Sequence, residues 1–438
     1  MRQALGTSFK FSILASVMLA ACSNATEETD NDAGDQQTVA SVDLSSVAEH
    51  TKVQQALAAY EGMEEKNVER LITLTEIPAP PFREEKRAEE LVRQFEAVGM
   101  SDISVDEVGN VLARRKGVGD GRTVAVIAHL DTVFPLSTDV TVRRDGDVLY
   151  APGIGDNTQG LVAMLSLAEA LNTYQIETEA DILFVGSVGE EGLGDLRGVR
   201  HLFREDGPRI DAVVSVDGGG ADRLVVDAVG SLRYRVMFSG PGGHSYGAFG
   251  LAHPHQALAR TITNFTERAR PITEDGAKAT FSVGRIGGGT SINSIPFTSW
   301  MEVDMRSVDQ AKLDALNAAF NSSVDDALAA ENAARTRGPE ITVEVKPVGD
   351  RPAGQGDRNA ALVQNAMAAM ELNGLEARLV ASSTDSNIPI SKGIPAITMS
   401  RGGISRNAHA PNESWEKKDP HIALRILTLT VLFETGVR

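Results

Sequence analysis

An α/β fold, with a mainly parallel central sheet flanked by helices and interrupted by an inserted α+β unit, is the fold class this sequence predicts. Three observations carry it. Several short runs are apolar throughout, as strands covered on both faces are: Thr123 to Ala128, Ile182 to Val185 and Ala212 to Val216. These runs alternate with helical patterns, the order that crossover connections of a parallel sheet require. Near Val229 the character changes to the alternation of a half-exposed antiparallel strand, Leu232 to Phe238, and the first pattern resumes after Asp350.

Taken in order, helical periodicity begins at Val53. Ala56, Leu57, Tyr60 and Met63 share one face, followed by Val68, Leu71, Ile72 and Leu74. Ile77-Pro78-Ala79-Pro80-Pro81 breaks the pattern, and a second amphipathic helix turns Ala88, Leu91, Val92, Phe95 and Val98 inward. Strands at Val111 to Arg114 and Thr123 to Ala128 follow, then a helix from Leu161 to Leu171 and the two further apolar strands. The inserted unit reads as strand, helix (Ala257 to Arg268), two strands (Thr280 to Ile286, Ser299 to Met305), a long Ala-rich helix from about Asp309 to Ala334, and a strand at Ile341 to Val345. The last segment holds a helix, Asn359 to Leu372, a strand, Ala396 to Met399, and a closing helix, His421 to Thr435. The division is therefore 51–228 for the first part of the larger domain, 229–348 for the insertion and 349–438 for the second part.

The first fifty residues read differently. Arg2 and Lys10 precede an apolar stretch, Phe11 to Ala21, too short to span a bilayer, which ends in Leu19-Ala20-Ala21-Cys22. This is similar to a bacterial lipoprotein signal, over residues 1–21, and implies a lipid on Cys22 and a periplasmic or cell-surface location. Residues 22–50 are polar and acidic, the composition of a flexible tether. Cys22 is the only cysteine, so no intramolecular disulfide, thiolate metal site or thiol nucleophile exists. The balance of 42 Lys+Arg against 60 Asp+Glu, net −18, excludes nucleic acid and anionic membrane surfaces as partners.

Any metal must then be held by nitrogen and oxygen. His129, Asp156, Glu191, Asp217 and His409 each lie where an apolar run gives way to a Gly-rich turn, and open α/β sheets bind ligands at the carboxyl ends of their strands. Two imidazoles, two terminal carboxylates and one bridging carboxylate are what a pair of divalent ions needs. Singly, each residue has a plainer reading: a structural His, a solvated Glu pair, a helix cap at Asp156. One site explains all five.

At these residues the chain resembles the di-zinc exopeptidases related to glutamate carboxypeptidase, peptidase T, succinyl-diaminopimelate desuccinylase and the aminoacylases, from about residue 51 onward. The resemblance implies that His129 of His129-Leu130-Asp131 binds one metal and Asp131 orients it. It implies that Asp156 of Gly153-Ile154-Gly155-Asp156-Asn157 bridges, that Glu190 is the general base and Glu191 a ligand, and that Asp217 and His409 complete the two metals. The cofactor implied is two divalent ions, zinc by default, with cobalt or manganese tolerated by the same donors. In the insertion, Gly240-Pro241-Gly242-Gly243-His244-Ser245 resembles the family's lid motif, whose His stabilises the oxyanion, often in a partner subunit's site. Gly288 to Pro296 and Asp304-Met305-Arg306 match further lid segments, implying that Asn293 and Arg306 contact substrate; for Arg306 a surface ion pair with Asp304 or Glu302 is an equal alternative. Ser383-Thr384-Asp385 resembles a loop near the specificity pocket, which makes Asp385 a third substrate contact. The implied activity is hydrolysis of an amide bond in a small peptide or N-acyl amino acid, with dimerisation through the lid. Two alternatives stand beside it: another zinc aminopeptidase family with the same ligand order, suggested by Asp156-Asn157-Thr158-Gln159-Gly160, and a metal-containing binding lipoprotein without catalysis.

Overall fold

The computed structural model describes residues 44–438 apart from 120. The expected export signal, Cys22 and the expected tether up to residue 43 lie outside the described residues. The last residues of the stretch read as a tether, 22–50, are helical. Leu44–Glu49 is a helix whose Val47 and Ala48 join the main core, because two adjacent apolar side chains at the end of a polar stretch find a hydrophobic surface to cover.

A nine-stranded sheet forms the larger domain. Its centre is four parallel strands in the spatial order Asp181–Ser187, Thr123–His129, Ala212–Val216, Ala396–Met399. Every residue of these four strands is buried, which is why each reads as a mainly apolar run without polar alternation. Val111–Arg115 and Asp102–Val105 extend one side antiparallel. On the other side Arg223–Ala228 pairs antiparallel with Gly354–Gln355 and parallel with Arg378–Ser382. The helices Gly160–Thr173 and Pro420–Thr435, buried nearly all round, pack into the main core. Among the described residues no helix is long and apolar enough to cross a membrane.

The insertion is a four-stranded antiparallel sheet, ordered Ala279–Gly288, Thr298–Ser307, Gly230–Ser239, Thr342–Arg351, with the helices Pro254–Glu274 and Gln310–Ala334 against it. Strand period fixes its two faces. Along Thr298–Ser307, Met301, Val303 and Met305 are buried in a core with Phe238, Phe265 and Phe320, while Trp300, Glu302, Asp304 and Arg306 face away. Asp309 caps the second helix, accepting from the amide of Ala311 at 2.9 Å.

Four three-residue strands, in the order Ile404–Arg406, Ser414–Glu416, Val148–Tyr150, Arg143–Asp145, make a separate small sheet. It brings the loop carrying His409 beside the turn carrying Asp156. Strands this short hold too few alternations to register in the sequence.

Candidate metal centre

The carboxyl ends of the four central strands meet at one place, and each delivers part of the site. His129 is the last residue of its strand and 1% exposed. Glu190 and Glu191 follow Ser187, Asp217 follows Val216, and Arg401 follows Met399 by two residues. Asp156 comes from the turn preceding Gly160–Thr173. Gly153 there has φ +79, and a Cβ on it would lie 2.5 Å from Thr132 Cγ2, so only glycine suits the position. The Asp156–Asn157 peptide is cis.

Asp156 is the hub. Its Oδ1 lies 3.4 Å from His129 Nε2, and its Oδ2 lies 3.3 Å from His409 Nε2. Two ligands each about 2.0–2.2 Å from a tetrahedral ion stand roughly 3.3 Å apart, so each oxygen and its histidine are spaced to share one cation. His409 Nε2 is also 2.8 Å from Glu191 Oε1. Donor atoms of His129, Asp156 and Glu191 all fall within 4.8 Å of one another. Asp217 reaches the group beside Asp156, the two linked by Arg401 Nη1 at 2.9 and 3.1 Å.

Electrostatics favour a cation here. Burial pushes the His129 pKa down, but Asp131, Asp156 and Glu190 outweigh it and hold the ring well above its ordinary value. Hydrogen bonds donated by its ring to the Asp156 and Glu191 carboxylates raise the His409 pKa to about 10. His129 Nε2 is buried, makes no hydrogen bond and points into the cluster. A buried donor atom without a partner, among carboxylates in excess, fits a divalent ion with N/O ligands.

The chemistry-bearing carboxylate is also well defined. Glu190 is buried, and burial raises its pKa well above the ordinary range, opposed by the Arg351 guanidinium and reinforced by Glu191. Arg351 Nη1 donates to Glu190 Oε1 at 2.8 Å and to Ser383 Oγ at 3.0 Å, and its Nη2 donates to the Glu190 carbonyl.

Asp131, expected to orient His129, holds the ring Nδ1 through its backbone carbonyl at 2.9 Å, with its carboxylate 3.7 Å from the same nitrogen. The carboxylate accepts the amides of Glu190 (2.9 Å) and Glu191 (2.7 Å), so it positions the glutamate pair. Asp385, expected to contact substrate, is 2% exposed and bonded to Ser187 Oγ at 2.6 Å beneath the site. Sequence spacing gives the neighbourhood of such residues but not the direction of their side chains.

Above the cluster lies a cavity of about 330 Å³, lined by Val133, Asp156, Glu190, Glu191, Gly192, Asp217, Arg233, Arg306, Arg351, Ser383 and His409. Arg233 and Arg306 come from the outer face of the inserted sheet. Their Nε atoms donate to the two oxygens of Asp304, each at 2.8 Å, so the ion pair anticipated for Arg306 exists and Arg306 lines the cavity as well. His244 and Asn293 do not line it. They lie together at the exposed edge of the insertion, where Gly243–His244 pairs with Ser294–Ile295. Tyr246, Phe249 and Ile292 are exposed beside them.

A model of peptidase family M20/M25/M40 matches residues 125–432. The chain belongs to this family. YqjE of Bacillus subtilis is 24% identical over 80% of this chain and 93% of its own length. Carboxypeptidase G2 of a Pseudomonas species is 25% identical, over 59% of this chain and 60% of the relative. A Thermococcus kodakarensis protein named for LysW-lysine/LysW-ornithine hydrolysis is 34% identical, and the match spans 40% of this chain and just under half (46%) of that relative. Among solved structures, aminopeptidase PepT from Bacillus cereus superposes with a TM-score of 0.69 at 21% identity, covering 84% of this chain and 98% of that one. Membership places this chain among the M20 peptidases and decides between the two ligand-order families that the motifs left open.

Sequence reasoning missed Arg233, Arg351, Arg401 and Glu413. Glu413 accepts the amides of Gly153 (2.9 Å), Gly155 (2.9 Å) and Asp156 (2.8 Å) and so shapes the turn that presents Asp156. Its signal was available, four residues beyond His409 in His-Ala-Pro-Asn-Glu. The three arginines have no partner close in sequence, and nothing local marks them.

Proposed function

We propose that this M20 member is an exopeptidase or amidohydrolase that binds two divalent ions and cleaves an amide bond in small peptides or N-acyl amino acids bearing a free carboxylate. The observation that carries it is Asp156, with one oxygen facing His129 and the other facing His409, beside a buried Glu190. His129, Asp156 and Asp217 would hold one ion, and Asp156, Glu191 and His409 the other, zinc by preference with cobalt or manganese compatible. Divalent ions bound there supply positive charge that acidifies water and polarises a carbonyl.

The protein's own part follows from the contacts. Glu190 takes a proton from water and returns it to the leaving amine, a role suited to a carboxylate whose pKa is raised by burial. Arg351 locks that carboxylate in one orientation, and Asp131 holds the backbone from which Glu190 and Glu191 project. Arg233 and Arg306 spend their Nε atoms on Asp304, which leaves their Nη groups for a substrate carboxylate in the cavity. His244 and Asn293 serve a second copy of the chain, with the exposed Tyr246, Phe249 and Ile292 supporting a homodimer through the lid. A lipid on Cys22 would place the enzyme on the periplasmic side of the membrane or on the cell surface. Mass spectrometry of the membrane-extracted protein and a Cys22→Ser variant tests that placement.

The deciding experiment is hydrolysis of free, N-acylated and C-amidated di- and tripeptides by the purified protein with added Zn, Mn or Co, with Glu190→Ala as control. Cleavage that needs both metal and Glu190 supports the reading, and the tolerated blocked end names the class of exopeptidase. Bound metal with no cleavage of any member refutes the peptide assignment.

A further inference from the structure

We propose that the two cation positions around Asp156 are unequal, and that Arg401 makes them so. This rests on the two-metal reading above and concerns a residue outside its ligand set. Arg401 is held rigidly. The Ala396–Met399 and Ala212–Val216 strands run side by side, and their pairing continues past the strand ends, the Asp217 amide donating to the Met399 carbonyl (3.0 Å) and the Arg401 amide to the Gly218 carbonyl (3.2 Å). The side chain is 4% exposed, and a guanidinium does not give up its proton.

Its reach is one-sided. Nη1 bonds Asp156 Oδ1 (3.1 Å) and Asp217 Oδ1 (2.9 Å), with Asn157 Oδ1 at 3.4 Å. Asp156 Oδ1 is the oxygen that faces His129. Oδ2, which faces His409, has no such contact, and the other buried guanidinium nearby, Arg351, is bonded to Glu190. An ion among His129, Asp156 and Asp217 therefore shares both carboxylates with a fixed positive charge. An ion among Asp156, Glu191 and His409 has no guanidinium hydrogen-bonded to its histidine or its terminal carboxylate; Arg351 acts on Glu191 only through its charge at longer range, its hydrogen bonds going to Glu190 and Ser383. Like charges a few ångströms apart in a partly dry site repel strongly, so the first position fills after the second.

The test is zinc binding by the whole protein, by equilibrium dialysis against buffered free zinc with metal content read by mass spectrometry. The wild type binds in two steps whose dissociation constants differ by at least roughly ten-fold, a gap of about 1.4 kcal/mol. Arg401→Met tightens the weaker step and brings the two together. Arg401→Lys keeps the charge without the planar fork and keeps two separated steps. Asp217→Asn removes the weak step and leaves the tight one, and His409→Ala removes the tight one. Circular dichroism and melting temperature check that each variant is folded; if Arg401→Met is not, the Asp217→Asn and His409→Ala pair still decides the order of filling. Two equal steps in the wild type, weaker zinc binding by a folded Arg401→Met, or loss of the tight step in Asp217→Asn overturns the inference. Failure of the wild type to bind zinc, manganese or cobalt at all overturns the two-metal reading itself, a separate result.

Discussion

Glu413 is the best place to test whether the site is built as described, because its effect can be worked from three hydrogen bonds. Replacing it by alanine leaves the amides of Gly153, Gly155 and Asp156 without their acceptor in a site where Glu413 itself is 0% exposed. At about 1–3 kcal/mol for each unpaired buried donor, the upper figure is roughly 3–9 kcal/mol. Two effects reduce it. Burial pushes the Glu413 pKa up, against the bonds from Asp156 and Gly153, so removing the carboxylate also removes a desolvation cost. Water entering the space can pair with some of the amides, so the net loss is about 2–4 kcal/mol. Glu413→Gln keeps an oxygen for Gly155 and Asp156 but sets an amide N–H against that of Gly153, and loses about half as much. The assay is urea denaturation followed by Trp415 fluorescence in a Trp300→Phe background. Trp415 is buried two residues from Glu413, its Nε1 donating to the Gly402 carbonyl at 2.9 Å, and it reports the small sheet directly. Zinc affinity is measured alongside and falls in both variants, since the turn presents Asp156. A change below about 0.5 kcal/mol for Glu413→Ala, with zinc binding intact, refutes the claim that this residue shapes the turn.

Other outcomes follow from other contacts. Glu190→Gln retains bound metal and loses hydrolysis by roughly 10²–10⁴-fold; metal loss in that variant would mean Glu190 is a ligand instead. Arg233→Gln and Arg306→Gln each raise KM for carboxylate-bearing substrates more than for C-amidated ones, with kcat changed less; equal loss on both substrate types would remove the carboxylate-binding role. Burial raises the Tyr60 pKa, against its 2.6 Å bond to Thr428 Oγ1. Its stabilising contribution is therefore full below about pH 10 and declines as pH rises from there toward the folded-state pKa, with a slope approaching roughly 1.4 kcal/mol per pH unit. Tyr60→Phe removes that part of the alkaline slope, and identical slopes in wild type and variant would refute it. Stripping metal with a chelator lowers the melting temperature, and added zinc restores it in a concentration-dependent way, as any ligand bound only by the folded state must.

The fold and the acidic half of the site were legible in the sequence for a definite reason. A parallel strand buried on both faces leaves a mainly apolar run, and the residue that ends the run is at the sheet's carboxyl edge whatever surrounds it. His129, Glu190, Glu191 and Asp217 could be placed on that basis, and Asp156 and His409 by their Gly-rich turns. Arg306 was reached only through the resemblance of Asp304-Met305-Arg306 to a lid segment, and the structure puts it on the outer face of the Thr298–Ser307 strand. What the sequence could not supply is the direction of a side chain at a strand end and the identity of partners distant along the chain. The Asp131 carboxylate accepts the glutamate amides as well as standing beside the His129 ring, and Asp385 turns down to Ser187. Arg351 meets Glu190 across 161 positions and Arg401 meets Asp156 across 245, pairings created by packing the insertion over the sheet and by running the Ala396–Met399 strand beside Ala212–Val216. Local pattern decides which residues reach the edge of the sheet. Only the packed chain decides which charges they meet there, because those contacts depend on strand order and not on spacing.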